Sequence, residues 1–340
     1  MEGSDIRIVI DAMGGDNAPA CNVEGAVEAL NEKEGFRLIL TGDKAAIEAE
    51  LAGKSYPKDR LEIVPTTEVI AMAEPPVEAI RKKTDSSIVV GMKMVRKGEA
   101  EAFVSAGSTG AVLVGGQLLV GRLKGVERPP LAALIPTEKG CACLIDCGAN
   151  VDARASWLVQ FARMGSIYME KVVGVANPTV GLLNIGAEEE KGNALVKETF
   201  PMLKDCKGIN FVGSVEARDV PSGAVDIIVT DAFSGNVLLK MYEGTASALI
   251  RVVKQSMMTS LKTRIGALLI KNDLKATLKA YDSSNYGGAP LLGLNGLVVK
   301  THGSATAKEV RTTIFECLKF SENHVGDLIR EAILEGRNTP

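Results

Sequence analysis

The chain has 340 residues, which is long enough for one large α/β domain or for two lobes. Its net charge of −3 and aromatic content of 4% argue against nucleic acid as a partner, because nucleic-acid binding needs positive charge and aromatic rings that stack on bases. The six cysteines match no zinc-binding spacing and are too few for a disulfide framework in a chain of this length. We therefore expect buried thiols and a cytoplasmic protein.

Apolar runs alternate with helix-like segments along the chain. Strands are predicted to begin at residues 6, 36, 61 and 103, with helices over 18–31, 43–51, 75–83 and 87–97. A hairpin of strands 131–135 and 142–145 is followed by predicted helices over 157–168, 194–203 and 233–258, and residues 305–334 close the chain. The alternation predicts an α/β fold with a doubly wound, mostly parallel sheet, and we expect residues 1–340 to form a single unit.

Residues 102–121 carry no charge and approach the length of a membrane-spanning helix. They contain five glycines together with Ser105, Ser108 and Thr109, which favours a strand, an anion-binding loop and a buried helix. The first five residues lack the basic and apolar regions of a signal peptide. We expect neither a membrane span nor a signal peptide.

Six apolar runs end in a polar residue that is followed by glycine. Glycine after a strand allows a tight turn, and a helix that begins there directs free N–H groups at an anion. The carboxyl ends of parallel strands meet at one edge of a sheet, so these junctions predict a cleft for an anionic ligand. The pairs are Asp11 and Gly14, Ser105 and Gly107, Asp146 and Gly148, Asn184 and Gly186, Asp231 and Gly235, and His302 and Gly303.

The segment 251–281 differs from the rest of the chain in charge. Between Arg251 and Lys279 it carries seven basic residues against one acidic residue, a local charge of +6. An apolar stripe at helical spacing accompanies this charge and comprises Leu261, Ile265, Leu268 and Leu269. The pattern predicts a projecting basic amphipathic helical element that contacts either an anionic membrane or a partner subunit.

Several motifs of cofactor-dependent enzymes are absent from the sequence. It contains no Gly-x-Gly, no Walker loop, no Gly-x-Ser-x-Gly and no His-Glu-x-x-His, and His302 and His324 are its only histidines. We therefore expect no metal and no bound cofactor, and a site built from backbone amides, hydroxyls and a few charges.

The first junction, Val9-Ile-Asp-Ala-Met-Gly-Gly-Asp-Asn-Ala-Pro19, closely resembles the opening signature of the PlsX family, the bacterial phosphate acyltransferases of phospholipid synthesis. The resemblance continues in order through residues 81–87, 105–110, 121–125, 146–152, 181–186, 191–193, 215–219, 230–236, 284–288 and 302–304. Cys147, where the family pattern has a small apolar residue, is a minor departure.

The resemblance implies reversible transfer of a long-chain acyl group from acyl carrier protein to inorganic phosphate, giving acyl phosphate for phosphatidic acid synthesis. It also implies a homodimer with a fold like isopropylmalate dehydrogenase and phosphotransacetylase. The implied location is the inner face of the cell membrane, as a peripheral protein, with a membrane glycerol-3-phosphate acyltransferase as a further partner.

Phosphate that attacks a thioester needs a cradle for the dianion and hydrogen-bond donors for the carbonyl oxyanion. The thiolate leaves without help from a strong acid, because the pKa of the corresponding thiol is about 8.5. The first candidate cradle comprises Ser105, Gly107, Ser108, Thr109 and Gly110, and its alternative interpretation is a capped strand-to-helix turn. The second comprises His302, Gly303 and Ser304, where His302 would orient phosphate, accept its last proton, or only satisfy a helix end.

Lys191, with Thr109 and His302, completes the candidate catalytic residues, although its acidic neighbours also suit a solvent-facing charge cluster. Polar residues at strand ends suit loop ordering better than acid–base chemistry, because a carboxylate beside phosphate is costly. These are Asp11, Asp16, Asn150, Asp152, Asn184, Asp231 and Asn236. Basic residues that would dock an acidic carrier protein are Arg81, Lys82, Lys83, Arg96, Lys97, Arg122 and Lys124.

Three other functions stay open at this point. A short-chain phosphotransacylase that uses acyl-coenzyme A would perform the same chemistry with another donor. A β-decarboxylating dehydrogenase dependent on a metal and NAD has a similar fold and also lacks Gly-x-Gly. A non-catalytic membrane scaffold would suit the basic segment but would leave six anion loops without a purpose.

Overall fold

The computed structural model describes residues 6–279 and 281–337. Its first half contains β1 (Ile6–Asp11), α1 (Ala20–Glu32), β2 (Phe36–Gly42), α2 (Lys44–Leu51), β3 (Leu61–Pro65), α3 (Pro76–Lys82), α4 (Ser87–Arg96), β4 (Ala102–Ser105) and α5 (Thr109–Gly115). A π-helical segment, Gly116–Val120, continues α5 directly. The helix that starts at Thr109 therefore runs on to Val120.

The second half begins with the predicted hairpin and ends with two helices. It contains β5 (Ala132–Thr137), β6 (Gly140–Ile145), α6 (Ala155–Tyr168), β7 (Thr179–Asn184), α7 (Ala194–Lys204), β8 (Asn210–Glu216), β9 (Ile227–Val229), α8 (Ala232–Met257), α9 (Leu261–Lys279), β10 (Ala289–Leu291), β11 (Leu297–Lys300), α10 (Ala307–Glu322) and α11 (Val325–Arg337). The closing segment 305–334 holds two helices, α10 and α11, because the chain turns at Asn323 and His324, where His324 has φ 51°.

The strands divide between two mostly parallel sheets rather than forming one. The six-stranded sheet has the order β10-β11-β4-β1-β2-β3, and the five-stranded sheet has the order β5-β6-β9-β7-β8. The antiparallel pairs are β10–β11 and the predicted hairpin β5–β6. The predicted α/β class with a mostly parallel sheet is confirmed, and the hairpin is confirmed with it.

The two sheets are joined along one edge and through the core. Leu131, next to β5, forms an isolated antiparallel bridge with Leu291 of β10. One cluster of buried side chains contains residues of both sheets, among them Leu40 of β2 and Val229 of β9. The organisation of residues 1–340 as a single unit stays a prediction.

Strand order decides which loops meet. β4 lies between β1 and β11, and all three run parallel. In the second sheet, β9 lies between β6 and β7, also in parallel. The six junctions identified in the sequence therefore form two groups of three, each at the carboxyl edge of one sheet.

α8 and α9 form a helical hairpin that projects from this body. Within the described part of the chain, the buried residues of α8 are Ala232 and Gly235, both in its first turn, and α9 has none. No helix among the described residues combines the length and apolarity that crossing a membrane requires.

A buried acid–phenol pair links α6 to α10. The Tyr168 hydroxyl donates a hydrogen bond to Oε1 of Glu316, and both side chains are buried. Burial raises the pKa of Glu316 from 4.5 to about 8. Between pH 4.5 and about 8, Glu316 is therefore mainly protonated in the native protein and mainly ionised in the unfolded chain.

Replacing this acid should change how stability depends on pH. Because the folded-state pKa is raised, the contribution of Glu316 is fully present below pH 4.5 and is lost as pH rises toward about 8. We expect Glu316→Gln, which stays neutral, to melt a few degrees above the wild type at about pH 8.5 and to lose that advantage at about pH 5. Calorimetric melting temperatures over this range test it.

The control is Glu322→Gln, which alters an exposed residue at the end of the same helix. Parallel stability curves for the wild type and Glu316→Gln across the whole range would contradict the assignment.

Candidate active site

The first loop of the site is held by Asp11 at the end of β1. Its Oδ1 accepts the Met13 N–H at 3.1 Å, and its Oδ2 accepts the Ser105 hydroxyl at 2.7 Å. Burial raises the pKa of Asp11. A side chain at Gly14 would place its Cβ 2.4 Å from Oδ2 of Asp11 and 2.6 Å from the Gly107 nitrogen, so glycine is required there.

Ser105 connects Asp11 to the loop after β4 through two hydrogen bonds. Its Oγ accepts the Gly107 N–H at 3.0 Å while its hydroxyl hydrogen is donated to Asp11. Ser105 and the Gly107 N–H are therefore occupied by structural hydrogen bonds. This fixes the backbone of the loop immediately before α5.

The start of α5 leaves three backbone donors available. Ser108 caps the helix, since its Oγ accepts the Ala111 N–H at 3.4 Å. Among the described residues, no acceptor receives the N–H groups of Ser108, Thr109 or Gly110. Thr109 is exposed, so its hydroxyl faces solvent beside them. The capped turn and the anion cradle thus coexist: Ser108 caps, and the backbone donors of 108–110 stay free for an anion.

The loop after β11 lies against the first two. The Asp16 N–H donates to the Gly303 carbonyl at 2.7 Å, and the Thr301 N–H donates to the Ser105 carbonyl at 3.0 Å. Asn17 donates its side-chain amide to the Ala305 carbonyl at 3.1 Å. The candidate cradle and the His302 loop, predicted separately, therefore meet at one place.

His302 has a defined hydrogen-bond arrangement. Its Nδ1 accepts the Ser304 N–H at 3.3 Å and lies 2.8 Å from the Ser304 Oγ. A nitrogen that accepts an N–H carries no proton, so the neutral ring is protonated at Nε2. The exposed ring therefore offers an Nε2–H donor, which suits orienting phosphate better than accepting its proton.

Sequence reasoning missed Lys300, the last residue of β11. Its side chain is 8% exposed, and its Nζ donates to the carbonyl oxygens of Ala106, at 3.3 Å, and Thr301. Burial lowers the pKa of Lys300 to about 8. The sequence did contain a signal for Lys300, because a lysine there lies within an apolar strand that ends at the His302 junction.

Lys191 lies elsewhere. It follows β7 of the five-stranded sheet and forms an ion pair with Glu188, with Nζ 2.8 Å from Oε2. The hydrogen bond to Glu188 raises the pKa of Lys191. The structure places no contact between Lys191 and the three loops of the other sheet among the residues it describes. Its predicted catalytic role stays a prediction.

The second sheet has its own ordered loops, and sequence reasoning placed Asp146 at a strand-end junction there without assigning it a loop-ordering role. Its carboxylate accepts the N–H groups of Leu131, Gly148, Ala149 and Asn150 and the side-chain amide of Asn150. Burial raises the pKa of Asp146, although these hydrogen bonds oppose the rise.

The other residues expected to order loops differ in their contacts. Asn236 donates to the Cys147 carbonyl, Asn184 donates to Ser214 and to the Lys191 carbonyl, and Asp231 caps α8. Asp16 and Asp152 are exposed, and their carboxylates form no hydrogen bond within the described ranges.

The basic residues predicted to dock a carrier protein lie in two places. α3 packs along α5, because a Cβ on Gly110 would lie 2.4 Å from Pro76 and a Cβ on Gly115 would lie 3.3 Å from Ile80. Arg122 and Lys124 follow the far end of that helix, beside the loop that leads into β11. The set on α3 comprises Arg81, Lys82 and Lys83, of which Lys82 pairs with Glu78 and Lys83 with Glu74.

The predicted membrane contact residues all lie on α9 and are exposed. Leu268 and Leu269 are 72% and 78% exposed, and Leu261 and Ile265 are 75% and 54% exposed. Exposed apolar residues on α8 extend this surface, among them Val237 and Met241.

Known proteins resemble this chain over almost its full length. A family model described as "Fatty acid synthesis protein" matches residues 6–327. The phosphate acyltransferase of Clostridioides difficile (strain 630) is 50% identical over 329 residues, which cover 96% of each chain. The phosphate acyltransferase of Alkaliphilus oremlandii (strain OhILAs) is 47% identical over 328 residues, 96% of this chain and 97% of that protein.

Solved structures agree on the fold. A phosphotransacetylase from Streptococcus pyogenes superposes with a TM-score of 0.61 at 17% identity, covering 94% of this chain and 95% of that one. A branched-chain phosphotransacylase from Enterococcus faecalis V583 gives a TM-score of 0.54 at 13% identity, covering 92% and 98%. At such low identity the likeness establishes the fold alone. Because the family model and relatives of about half identity span nearly the whole chain, the protein belongs to the fatty acid synthesis protein family and is an enzyme of the phosphate acyltransferase class.

Proposed function

We propose that the protein transfers a long-chain acyl group from acyl carrier protein to inorganic phosphate, reversibly forming acyl phosphate for phospholipid synthesis. The observation that carries the proposal is the meeting of three strand-end loops around the N–H groups of Ser108, Thr109 and Gly110, which no acceptor in the described chain receives. The near full-length likeness to phosphate acyltransferases supports the reaction class.

Phosphate is the nucleophile in this mechanism. The N–H groups of 108–110, the Thr109 hydroxyl and the His302 Nε2–H hold the dianion by its oxygens. One phosphate oxygen forms a bond to the thioester carbonyl carbon, and the carbon–sulfur bond then breaks. Thiolate leaves with the bonding electrons, so no acid of high strength and no covalent enzyme intermediate is needed.

An acidic carrier protein would approach the cleft over the basic end of α3. Arg81 is exposed and forms no ion pair within the described chain, whereas Lys82 and Lys83 are already paired. We therefore assign the main docking role in this set to Arg81.

The helical hairpin would hold the enzyme at the membrane as a peripheral, homodimeric protein. A product with a long acyl chain and a phosphate head partitions to a lipid surface, where a membrane glycerol-3-phosphate acyltransferase would consume it. Each basic residue near anionic lipid contributes about 1 kcal/mol, and the leucines of α9 would insert at shallow depth. The exposed apolar side chains of α8 would pack against the second subunit.

The second candidate is a short-chain phosphotransacylase that uses acyl-coenzyme A, and the fold shared with a phosphotransacetylase favours it. A thiol-release assay separates the two donors. We expect phosphate-dependent thiol release from long-chain acyl carrier protein, and slower release from acetyl-coenzyme A. A reaction no faster than the phosphate-free control with folded protein would refute the proposal, and faster turnover of acetyl-coenzyme A would establish the second candidate.

Substitutions in the cradle should lower turnover more than stability. Thr109→Val removes one hydroxyl donor, and His302→Ala removes the Nε2–H. Loss of one such donor costs about 10²-fold in rate. Rates and melting temperatures of both variants are to be compared with His324→Asn, which changes the other histidine and suits its positive φ. Near-normal rates with lowered melting temperatures would mean that both residues are only structural.

The role of α9 is tested by its apolar stripe. We expect Leu268→Glu/Leu269→Glu to abolish binding to anionic vesicles in flotation assays, with the dimer and the activity on soluble substrate intact, because both leucines are exposed. Asn272→Glu/Thr277→Glu adds the same charge to α9 without removing leucine and serves as control. A monomeric leucine variant, or unchanged vesicle binding, would place the stripe in a subunit interface or in solvent instead.

A further inference from the structure

Lys300 lies directly under the loop that forms the cradle. Two of its three N–H donors are directed at backbone carbonyls, those of Ala106 and Thr301. Ala106 is the residue between Ser105 and Gly107, whose hydrogen bonds fix that loop. The third N–H of the ammonium group has no acceptor among the described residues.

The charge of Lys300 also has no counterion among the residues that the structure describes. Within the described residues, no carboxylate oxygen lies within ion-pair distance of its Nζ, although it is more than nine-tenths buried. The nearest acids are directed elsewhere: Asp11 accepts the Ser105 hydroxyl, and Glu309 accepts the His302 N–H. A buried ammonium group without an anion is unfavourable, so the free protein is short of one negative charge at this point.

Groups from every neighbouring element act on this ammonium group. Burial is the main cause that lowers its pKa to about 8, and Lys240 on α8 contributes to the same shift. Glu309 on α10, Asp11 on β1 and Asp16 in the following loop oppose the shift. The net effect is a lysine that is partly neutral at mildly alkaline pH until an anion arrives.

We propose that Lys300 binds the phosphate substrate, and that its third N–H and its charge complete the donor set formed by the N–H groups of residues 108–110. The proposal rests on the position of the phosphate site assigned under Proposed function. Phosphate then supplies the missing counterion, and its binding favours the charged form of the lysine. Binding of the dianion is therefore coupled to uptake of a proton at alkaline pH.

The test is calorimetric titration of the intact protein with inorganic phosphate at about pH 8.5, in two buffers of different ionisation enthalpy. The wild type should take up protons on binding. We expect Lys300→Met to bind phosphate about 10- to 100-fold more weakly and without proton uptake. Lys300→Arg, which is always charged, should keep most of the affinity but lose the uptake.

Lys240→Met is the matched control, because Lys240 contributes charge nearby but is exposed and paired with Glu243. It should leave phosphate affinity and proton uptake nearly unchanged. An equal loss in Lys240→Met would mean that only the overall field matters and would overturn the proposal.

Thermal melting separates binding from a structural role. Removing an unpaired buried charge should leave the melting temperature of Lys300→Met in phosphate-free buffer unchanged or raised, while the stabilisation by phosphate is lost. A lower melting temperature with unchanged phosphate affinity would make Lys300 a structural tether of Ala106 and refute the proposal.

Phosphate is the only ligand in these experiments, so a different acyl donor does not affect them. If Thr109→Val leaves phosphate affinity unchanged while Lys300→Met lowers it, the Thr109 hydroxyl is not a phosphate donor and the assignment of Lys300 stands. The reverse pattern overturns the assignment of Lys300 alone.

Discussion

The site depends on the hydrogen bond between the buried carboxylate of Asp11 and the hydroxyl of Ser105. It joins the ends of two adjacent strands, and through the Ser105 Oγ it holds the Gly107 backbone. With that backbone fixed, the next three N–H groups lie at the start of a helix, and no acceptor in residues 6–279 and 281–337 receives them. Burying the carboxylate is costly, and its hydrogen bonds offset that cost. The buried Asp11 thus fixes the loop so that its backbone donors stay available to a ligand.

The second sheet also has a buried carboxylate at a strand end that orders the following loop. Asp146 at the end of β6 is buried and orders the following loop through backbone N–H groups, with Asn150 as a side-chain partner. The Ala232 N–H at the start of α8 donates to the Asn150 carbonyl. The projecting hairpin is therefore rooted in a loop that a strand-end carboxylate holds, and a side chain on α8, Lys240, is close enough to act on Lys300 of the other sheet.

Local sequence patterns predicted most helices and strands because their apolar spacing and caps are local properties. The division into two sheets depends on which strands pair, and that depends on contacts far apart in sequence. β10 was missed because three residues, Ala289–Leu291, carry no periodicity, and the hinge at His324 carries no glycine or proline. In the site, the junction residues were found because strand ends are visible in sequence. Lys300 was missed because burial of a lysine is a tertiary property.

A phosphate dianion beside three acidic residues requires that their negative charge is turned away from it. In this structure, Asp11 is engaged by Ser105 and Met13, Glu309 is engaged by the His302 N–H, and Asp16 extends into solvent. Their oxygens accept protein donors or meet water, whereas the donors of residues 108–110 and one N–H of Lys300 have no protein acceptor in the described chain. The acids therefore position the backbone, and the surplus of donors over acceptors at the centre gives the cleft its preference for an anion.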